Sequence, residues 1–269
     1  MMAFGFYALT PVERLGVALA RYTFAGRGSI RPLIEKLFLP ARETPRDGVI
    51  WGGMAKLRLP PKSSLKYLIA DQRYNSPERD YLRTAVRDGD VIADIGANIG
   101  FYTLWFGALQ VPGTRIVAVE PNPSVYDALV ENVRLNGLDN VVTIRAALGA
   151  QDGSVSFGIR PDAPSVGSIL ATDAEQITVP MRSLASILEE QGLARCDVVK
   201  IDVEGYEYQA LMPYLEAIPQ PQWPRLLVIE QNHRSRQWEG DLVDVFLRNG
   251  YRVVMKTRGN IVLEKIEQA

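Results

Sequence analysis

The chain has 269 residues, of which 47% are hydrophobic and 23% charged, and its formal net charge is −1. This composition is typical of a globular protein and excludes collagen-like and intrinsically disordered chains. The single cysteine, Cys196, excludes an internal disulfide. We expect a cytoplasmic protein without a transmembrane helix, because no apolar stretch reaches about 18 uncharged residues and no signal peptide is evident.

Residues 1–69 form an N-terminal extension that is rich in basic residues. Residues 11–25 predict an amphipathic helix with one apolar face, made of Val12, Leu15, Leu19 and Tyr22. Prolines then divide the chain, and residues 49–70 predict short strands. The first 70 residues hold eleven basic and four acidic residues, against nineteen and twenty-seven in the remainder. Either these are solvated surface charges, or the arm contacts a membrane surface or another polyanion.

Residues 70–269 form a second unit in which apolar strands alternate with amphipathic helices. The strands are predicted at residues 91–95, 115–120, 141–146, 197–202 and 226–230. The helices are predicted at about residues 77–86, 100–109, 124–136, 184–191, 206–217 and 241–249, and a hairpin at 251–257 and 261–265. Near-continuous apolar strands must be covered on both faces. The pattern therefore predicts an α/β fold: a Rossmann-like, doubly wound, mostly parallel seven-stranded sheet with a C-terminal antiparallel hairpin.

An insertion interrupts this alternation after the third strand. Residues 154–160 and 177–182 alternate like strands, and residues 162–168 between them predict a loop. We expect the insertion to cover a pocket, with Gly167 and Ser168 near the acceptor.

A glycine-containing turn follows the first apolar strand and opens a helix: Asp94-Ile95-Gly96-Ala97-Asn98-Ile99-Gly100. Glycine at such a turn lets a ligand approach the backbone closely. Glu120 ends the next strand, where a carboxylate can bind both hydroxyls of a ribose. The turn therefore indicates a nucleoside-containing ligand.

A nicotinamide dinucleotide is the obvious rival for this turn. Its pattern requires three glycines, whereas only Gly96 and Gly100 are present. Asp94 also places negative charge where a pyrophosphate would bind, and no basic residue lies in the turn. S-adenosylmethionine carries no phosphate and has a cationic sulfonium and ammonium group, so an acidic pocket favours it.

The sequence resembles the FkbM family of methyltransferases over about residues 70–265. Besides the glycine turn and Phe101-Tyr102, the matching motifs are Val119-Glu120-Pro121-Asn122-Pro123, Ala146-Ala147-Leu148-Gly149 and Lys200-Ile201-Asp202-Val203-Glu204-Gly205-Tyr206-Glu207. The resemblance implies a Rossmann-like fold and S-adenosylmethionine as cofactor. It also implies methylation of oxygen, on sugars, glycans or polyketide-type products.

The candidate cofactor-binding residues share a position at the carboxyl ends of the strands or before the first core helix. They are Glu78, Asp94, Gly96, Ala97, Asn98, Gly100, Phe101, Tyr102, Glu120, Pro121, Asn122, Ala146, Ala147 and Asp202. Ala146 and Ala147 either flank an adenine ring or only pack. Glu78 and Tyr74 lie where such folds close over the methyl donor, and Glu78 alternatively complements the helix macrodipole.

The candidate catalytic residues are Lys200, Asp202, Glu204 and His233. Alternation along a strand puts the first three on one face, with Asp202 as base or cofactor ligand. A structural ion pair is the alternative. His233, the only histidine, follows the fifth strand and is a candidate base. A divalent metal on Asp202, Glu230 and Asn232 is conceivable, but no metal is predicted.

The sequence thus predicts an oxygen methyltransferase acting on a small-molecule, sugar or glycan acceptor, without a nucleic-acid partner. The alternatives are a carboxyl or nitrogen methyltransferase and a catalytically inactive module that binds S-adenosylmethionine. The sequence does not decide whether the chain forms a homo-oligomer.

Overall fold

The structure, a computed structural model, describes residues 2–22, 30–160, 163–230 and 241–267. Its N-terminal elements are α1 (Pro11–Tyr22), α2 (Arg31–Phe38), β1 (Arg46–Ile50), β2 (Ala55–Leu59), α3 (Tyr67–Ala70) and α4 (Ser76–Ala85). The expectation of strands over residues 49–70 was only partly correct, because α3 is helical. Nor was α2 predicted. Pro32 lies in its first turn, where the missing N–H has no helical partner to lose.

Strands and helices alternate through the rest of the chain. The elements are β3 (Val91–Ile95), α5 (Phe101–Leu109), β4 (Arg115–Val119), α6 (Pro123–Leu135), β5 (Val141–Ile144), β6 (Ala147–Leu148), β7 (Gly153–Arg160), β8 (Ala163–Ser168), β9 (Glu175–Arg182), α7 (Leu184–Glu190), β10 (Val198–Ile201), α8 (Glu207–Ala217), β11 (Leu226–Glu230), α9 (Leu242–Arg248), β12 (Tyr251–Lys256) and β13 (Asn260–Lys265). None of the helices in the described ranges has the length and apolarity needed to cross a bilayer.

Seven strands form the central sheet, in the order β12-β13-β11-β10-β3-β4-β5. The pairs from β11 through β5 are parallel, whereas β13 is antiparallel to both β11 and β12. The predicted seven-stranded sheet and its C-terminal hairpin are therefore confirmed. Every residue of β3 and β11 is buried, as expected for strands covered on both faces. Strand order reverses at β3, where open α/β sheets bind ligands.

The insertion folds into a second, four-stranded sheet in the order β6-β9-β7-β8. The expectation of a loop over residues 162–168 was wrong, because β8 pairs antiparallel with β7. That pairing contains a register shift between Ile159 and Arg160, and β8 is an edge strand, where proline is tolerated. Because Pro164 and Gly167 are typical turn residues, the sequence of this edge strand was interpreted as a loop.

The N-terminal elements pack directly against the central sheet and its helices. Trp51 makes an edge-on contact with Trp105 of α5, with ring centroids 5.1 Å apart. Asn132 of α6 is fully buried: its Oδ1 accepts from the Arg58 N–H at 2.7 Å, and its Nδ2 donates to the carbonyl oxygens of Arg58 and Ile99. One side chain thereby joins β2 to the turn after β3.

Candidate active site

The turn after β3 requires glycine at its centre. Gly96 has a φ of +73°, and a Cβ atom there would collide with the carbonyl oxygen of Asp202. The backbone N–H groups of Gly96 and Ala97 both donate to the carbonyl oxygen of Val119, at 2.9 and 3.0 Å. The turn therefore holds the ends of β3, β4 and β10 together, and Gly100, with a φ of +96°, leads into α5.

A first cavity of about 110 Å³ lies between these strand ends and the second sheet. Phe157 of β7 and Gly167 of β8 contribute to its wall, so the insertion covers a pocket as expected. The predicted residues that line it are Gly96, Asn98, Glu120, Pro121, Asn122, Ala146, Ala147, Asp202 and Glu204.

Glu120 is fixed in the wall of the first cavity by two backbone groups. Its Oε2 accepts from the N–H of Asn98 and its Oε1 from the N–H of Asn122, both at 2.9 Å. Burial raises the pKa of this carboxyl to about 7, and the nearby Asp94 adds to the rise. The two hydrogen bonds lower the pKa but do not cancel the effect of burial. The carboxyl of Glu120 therefore titrates near neutral pH.

The first cavity is acidic in charge. The described residues that line it include the three carboxyl side chains of Glu120, Asp202 and Glu204, and no lysine, arginine or histidine. A phosphate in this cavity would face like charge without compensation, whereas a sulfonium cation would be attracted. The lining therefore fits S-adenosylmethionine and disfavours a dinucleotide.

A second cavity adjoins the first one. The residues that line both cavities are Gly96, Asn98 and Asp202. Four aromatic residues among those described contribute to its other walls. The ring centroids of Tyr67 and Tyr74 lie 4.9 Å apart, and that of Phe101 lies 5.4 Å from Tyr74. Planar faces of this kind bind the apolar faces of ring compounds. Tyr102 and Ala97, both predicted as site residues, also line this cavity.

Asp94 lies in the second cavity rather than in the first. It is buried, the hydroxyl of Thr103 donates to its Oδ2 at 2.6 Å, and burial raises its pKa. The sequence suggested one crevice containing both Asp94 and Glu120. The structure instead distributes these two carboxyl groups over adjoining cavities that meet at Asp202.

Lys200 and Asp202 form an ion pair, with Nζ 3.2 Å from Oδ2. The lysine side chain is 2% exposed and its Nζ lies 5.2 Å from the ring centroid of Tyr102, whereas the aspartate side chain is 37% exposed. The buried cation thus holds a carboxylate that remains accessible from both cavities. This is the arrangement that a positioned base requires.

Glu204 lines the first cavity together with Asp202, but it does not share a strand face with Lys200, contrary to expectation. Strand β10 ends at Ile201, so the alternation of side chains stops before this residue. Glu204 has a φ of +55° and lines the first cavity, whereas Lys200 lines the second. The carbonyl oxygen of Glu204 accepts a hydrogen bond from the hydroxyl of Ser168 at 3.2 Å, which connects the second sheet to the turn after β10.

Glu78 lies outside the lining of both cavities. It is buried, and its Oε1 accepts from Thr257 and from Asn260, so it connects α4 to the β12–β13 hairpin. Glu230 is buried at the end of β11.

His233 and Asn232 lie outside the described residues, so their predicted catalytic and metal-binding roles stay predictions. Within the described ranges, no group of three or more histidine, cysteine, aspartate or glutamate residues is arranged to hold a metal ion.

Several residues of the two cavities were not recognised from the sequence, among them Tyr67, Leu68, Phe157 and Ile169. Tyr67 and Leu68 belong to α3 and precede β3 by more than twenty residues. The apolar stretch Tyr67-Leu68-Ile69 was the available signal, but it was interpreted as a strand. Phe157 is an inward-facing position of the alternating pattern in β7, which indicates burial but not contact with a ligand.

Comparison with known proteins identifies the family. The Methyltransferase FkbM domain matches residues 94–253, more than half of the chain. The chain is 28% identical to the 31-O-demethyl-FK506 methyltransferase FkbM of Streptomyces tacrolimicus, over 74% of this chain and 89% of that protein. It is 30% identical to the hexuronic acid methyltransferase AglP of Haloferax volcanii, over 52% and 58% of the respective chains.

A crystal structure of methyltransferase FkbM from Methylobacillus flagellatus is also similar, with a TM-score of 0.46 and 20% identity. The match covers 66% of this chain and 44% of that one. Because the family match spans most of the central sheet, the chain belongs to the FkbM family of S-adenosylmethionine-dependent methyltransferases.

Proposed function

We propose that this protein methylates a hydroxyl group of an uncharged ring-bearing acceptor, such as a sugar, a glycan or a natural product. One observation carries the proposal: an acidic cavity and an aromatic cavity meet at Asp202, whose carboxylate lines both. The first cavity suits the cationic cofactor, and the second suits the acceptor.

The residues of the first cavity match the parts of the cofactor. Glu120 would accept the two ribose hydroxyls, and the apolar Ala146, Ala147 and Phe157 would contact the adenine ring. When bound, S-adenosylmethionine supplies an electrophilic methyl group on a positively charged sulfur. Glu120, Asp202 and the carboxyl of Glu204 give this positive charge a favourable environment.

The second cavity would bind and orient the acceptor. The rings of Tyr67 and Tyr74 provide the flat apolar surface on which a sugar or macrocycle packs. Asp202 accepts the proton of the acceptor hydroxyl, and Lys200 holds the Asp202 carboxylate in place through their ion pair. Because Asp202 is partly exposed, it can pass this proton on to solvent.

Charge favours a hydroxyl acceptor over a carboxylate acceptor. A carboxylate in the second cavity would approach Asp94 and Asp202. Lys200, the one lysine among the described residues that line this cavity, is already paired with Asp202. A neutral hydroxyl meets no such repulsion. The name of one relative, a 31-O-demethyl-FK506 methyltransferase, also supports oxygen as acceptor.

The test measures cofactor binding and turnover separately. Calorimetry with S-adenosylhomocysteine should show binding to the wild-type chain, and no binding at millimolar concentration would end the proposal. Asp202→Asn should retain most of this binding but lower methyl transfer to hydroxyl acceptors by about 100-fold or more. Asp127→Asn, an exposed position on α6, is the matched control and should behave as wild type.

Two further results distinguish the cavities. Tyr67→Ala should raise KM for the acceptor while leaving S-adenosylhomocysteine binding nearly unchanged. If Tyr67→Ala instead weakens binding of S-adenosylhomocysteine as strongly as Glu120→Ala does, the second cavity holds cofactor and the assignment is wrong. Methylation of a carboxylate by Asp202→Asn at the wild-type rate would favour a carboxyl methyltransferase.

A further inference from the structure

Large apolar side chains are exposed mainly at the N-terminus. Of the thirteen exposed large apolar residues in the described ranges, eight lie within the first 37 residues. They are Met2, Phe6, Val12, Leu15, Tyr22, Ile30, Leu33 and Leu37. Scattered exposed apolar residues need no explanation, but a concentration on two neighbouring helices indicates an interaction surface.

The apolar face of α1 points away from the protein. Val12, Leu15 and Tyr22 are 58%, 54% and 83% exposed, although the sequence pattern alone would suggest that this face packs inward. The buried side of α1 contains Glu13, Gly16 and Val17 instead. The orientation of α1 therefore differs from that of an ordinary amphipathic surface helix.

Specific contacts fix this orientation. The carboxyl of Glu13 binds Arg46 at 2.7 Å and Arg42 at 3.2 Å, and all three side chains are largely buried. Gly16 packs so closely on Phe38 of α2 that a Cβ atom would collide with it. Because an ion-pair network and a close helix contact both hold α1, its outward apolar face is part of the fold.

The exposed charged side chains described on α1 and α2 are positive, and the acidic Glu35 of α2 is half-buried. Arg14 of α1 and Lys36 of α2 are exposed. The acidic residue of α1, Glu13, is turned inward to Arg42 and Arg46. Helices with an outward apolar face and basic neighbours are typical of interfacial membrane contact.

We propose that α1 and α2 form a docking surface for a membrane that contains anionic lipids. The apolar residues enter the boundary between headgroups and acyl chains, and Arg14 and Lys36 contact the lipid phosphates. A second copy of the chain fits less well, since a symmetric contact would bring the same cations of both copies together. This proposal does not depend on the methyl-transfer chemistry.

The docking surface lies next to the acceptor side of the active site. Helix α1 contacts α3, and the guanidinium of Arg21 donates to the carbonyl oxygen of Ile69 at 2.7 Å. On its other side, α3 contributes Tyr67 and Leu68 to the second cavity. A membrane bound at α1 and α2 would therefore be one helix away from the acceptor-binding cavity.

Flotation of the full chain with vesicles tests the proposal. Vesicles of phosphatidylcholine mixed with phosphatidylglycerol should carry the protein upward, and vesicles of phosphatidylcholine alone should carry much less. Leu15→Asp and Leu37→Asp should each lower the bound fraction about tenfold, because each removes one buried leucine side chain from the lipid. Leu247→Asp on α9, where the leucine is also exposed, is the matched control and should bind as wild type.

Three outcomes would overturn the proposal. The first is no flotation with either vesicle type, and the second is equal flotation by Leu15→Asp and wild type. The third is a dimer in sedimentation that Leu15→Asp dissociates, which would assign the surface to a second copy. Unchanged binding of S-adenosylhomocysteine by the variants shows that they are folded, and it separates this result from the proposed chemistry.

Discussion

Replacing Glu120 by glutamine removes an ionisable group that the fold holds near its titration point at neutral pH. The carboxyl is buried in the first cavity and accepts hydrogen bonds from the N–H groups of Asn98 and Asn122. Burial raises its pKa to about 7, from an ordinary value of 4.5. The folded state therefore retains this proton at pH values where the unfolded chain has released it.

The sign and size of the effect follow from this difference. Between pH 4.5 and about 7 the folded state binds more protons than the unfolded state, so stability falls as pH rises. At about 1.4 kcal/mol per pH unit, the free energy of unfolding should lose about 3 kcal/mol across this window. Glutamine does not titrate, so the difference in the free energy of unfolding between wild type and Glu120→Gln should change by about 3 kcal/mol over this pH window.

Urea unfolding at several pH values between about 5 and 8 measures this difference. Fluorescence of the buried Trp51 and Trp105 reports the transition, and circular dichroism checks that it is two-state. Glu216→Gln, an exposed position on α8, is the matched control. Its free energy of unfolding should differ from that of wild type by the same amount at every pH. If the difference in the free energy of unfolding between wild type and Glu120→Gln does not change with pH, the reasoning is refuted.

Two further predictions concern the turn after β3. Gly96→Ala should destabilise the protein by about 2 kcal/mol or more, because alanine is strained at a φ of +73° and its Cβ meets the carbonyl oxygen of Asp202. Calorimetry should also show loss of S-adenosylhomocysteine binding, and wild-type affinity in a folded Gly96→Ala protein would contradict this. Asn132→Leu should cost about 2–4 kcal/mol in urea unfolding, because it leaves the buried N–H of Arg58 and the carbonyl of Ile99 without a partner. A loss below about 1 kcal/mol would mean that these groups find other partners.

The central sheet could be predicted because strands that are buried on both faces are nearly continuous apolar runs in the sequence. The observed bounds of β3 and β11 are identical to the predicted ones, since each is a short, mostly apolar run. Elements that depend on tertiary contacts were harder. Helix α2 was not predicted, although a proline in the first turn, such as Pro32, is compatible with a helix.

The site was predictable only where it lies on the sheet itself. Glu120, Asn122 and Ala146 line the first cavity because parallel strands end at one edge. Tyr67 was missed, because no periodicity in the sequence indicates which distant helix covers that edge. The prediction that Lys200 and Glu204 share a strand face was wrong, because β10 ends at Ile201. An alternating pattern in the sequence does not show at which residue a strand ends.

The contact between Trp51 and α5 bears on how this family should be produced for study. All seven residues from Phe101 to Gly107 are buried, and Trp51 makes ring contacts with both Phe101 and Trp105. A fragment trimmed to the family match, residues 94–253, would present this aromatic helix to solvent. The smallest unit worth expressing therefore starts well upstream of the segment by which the family is recognised.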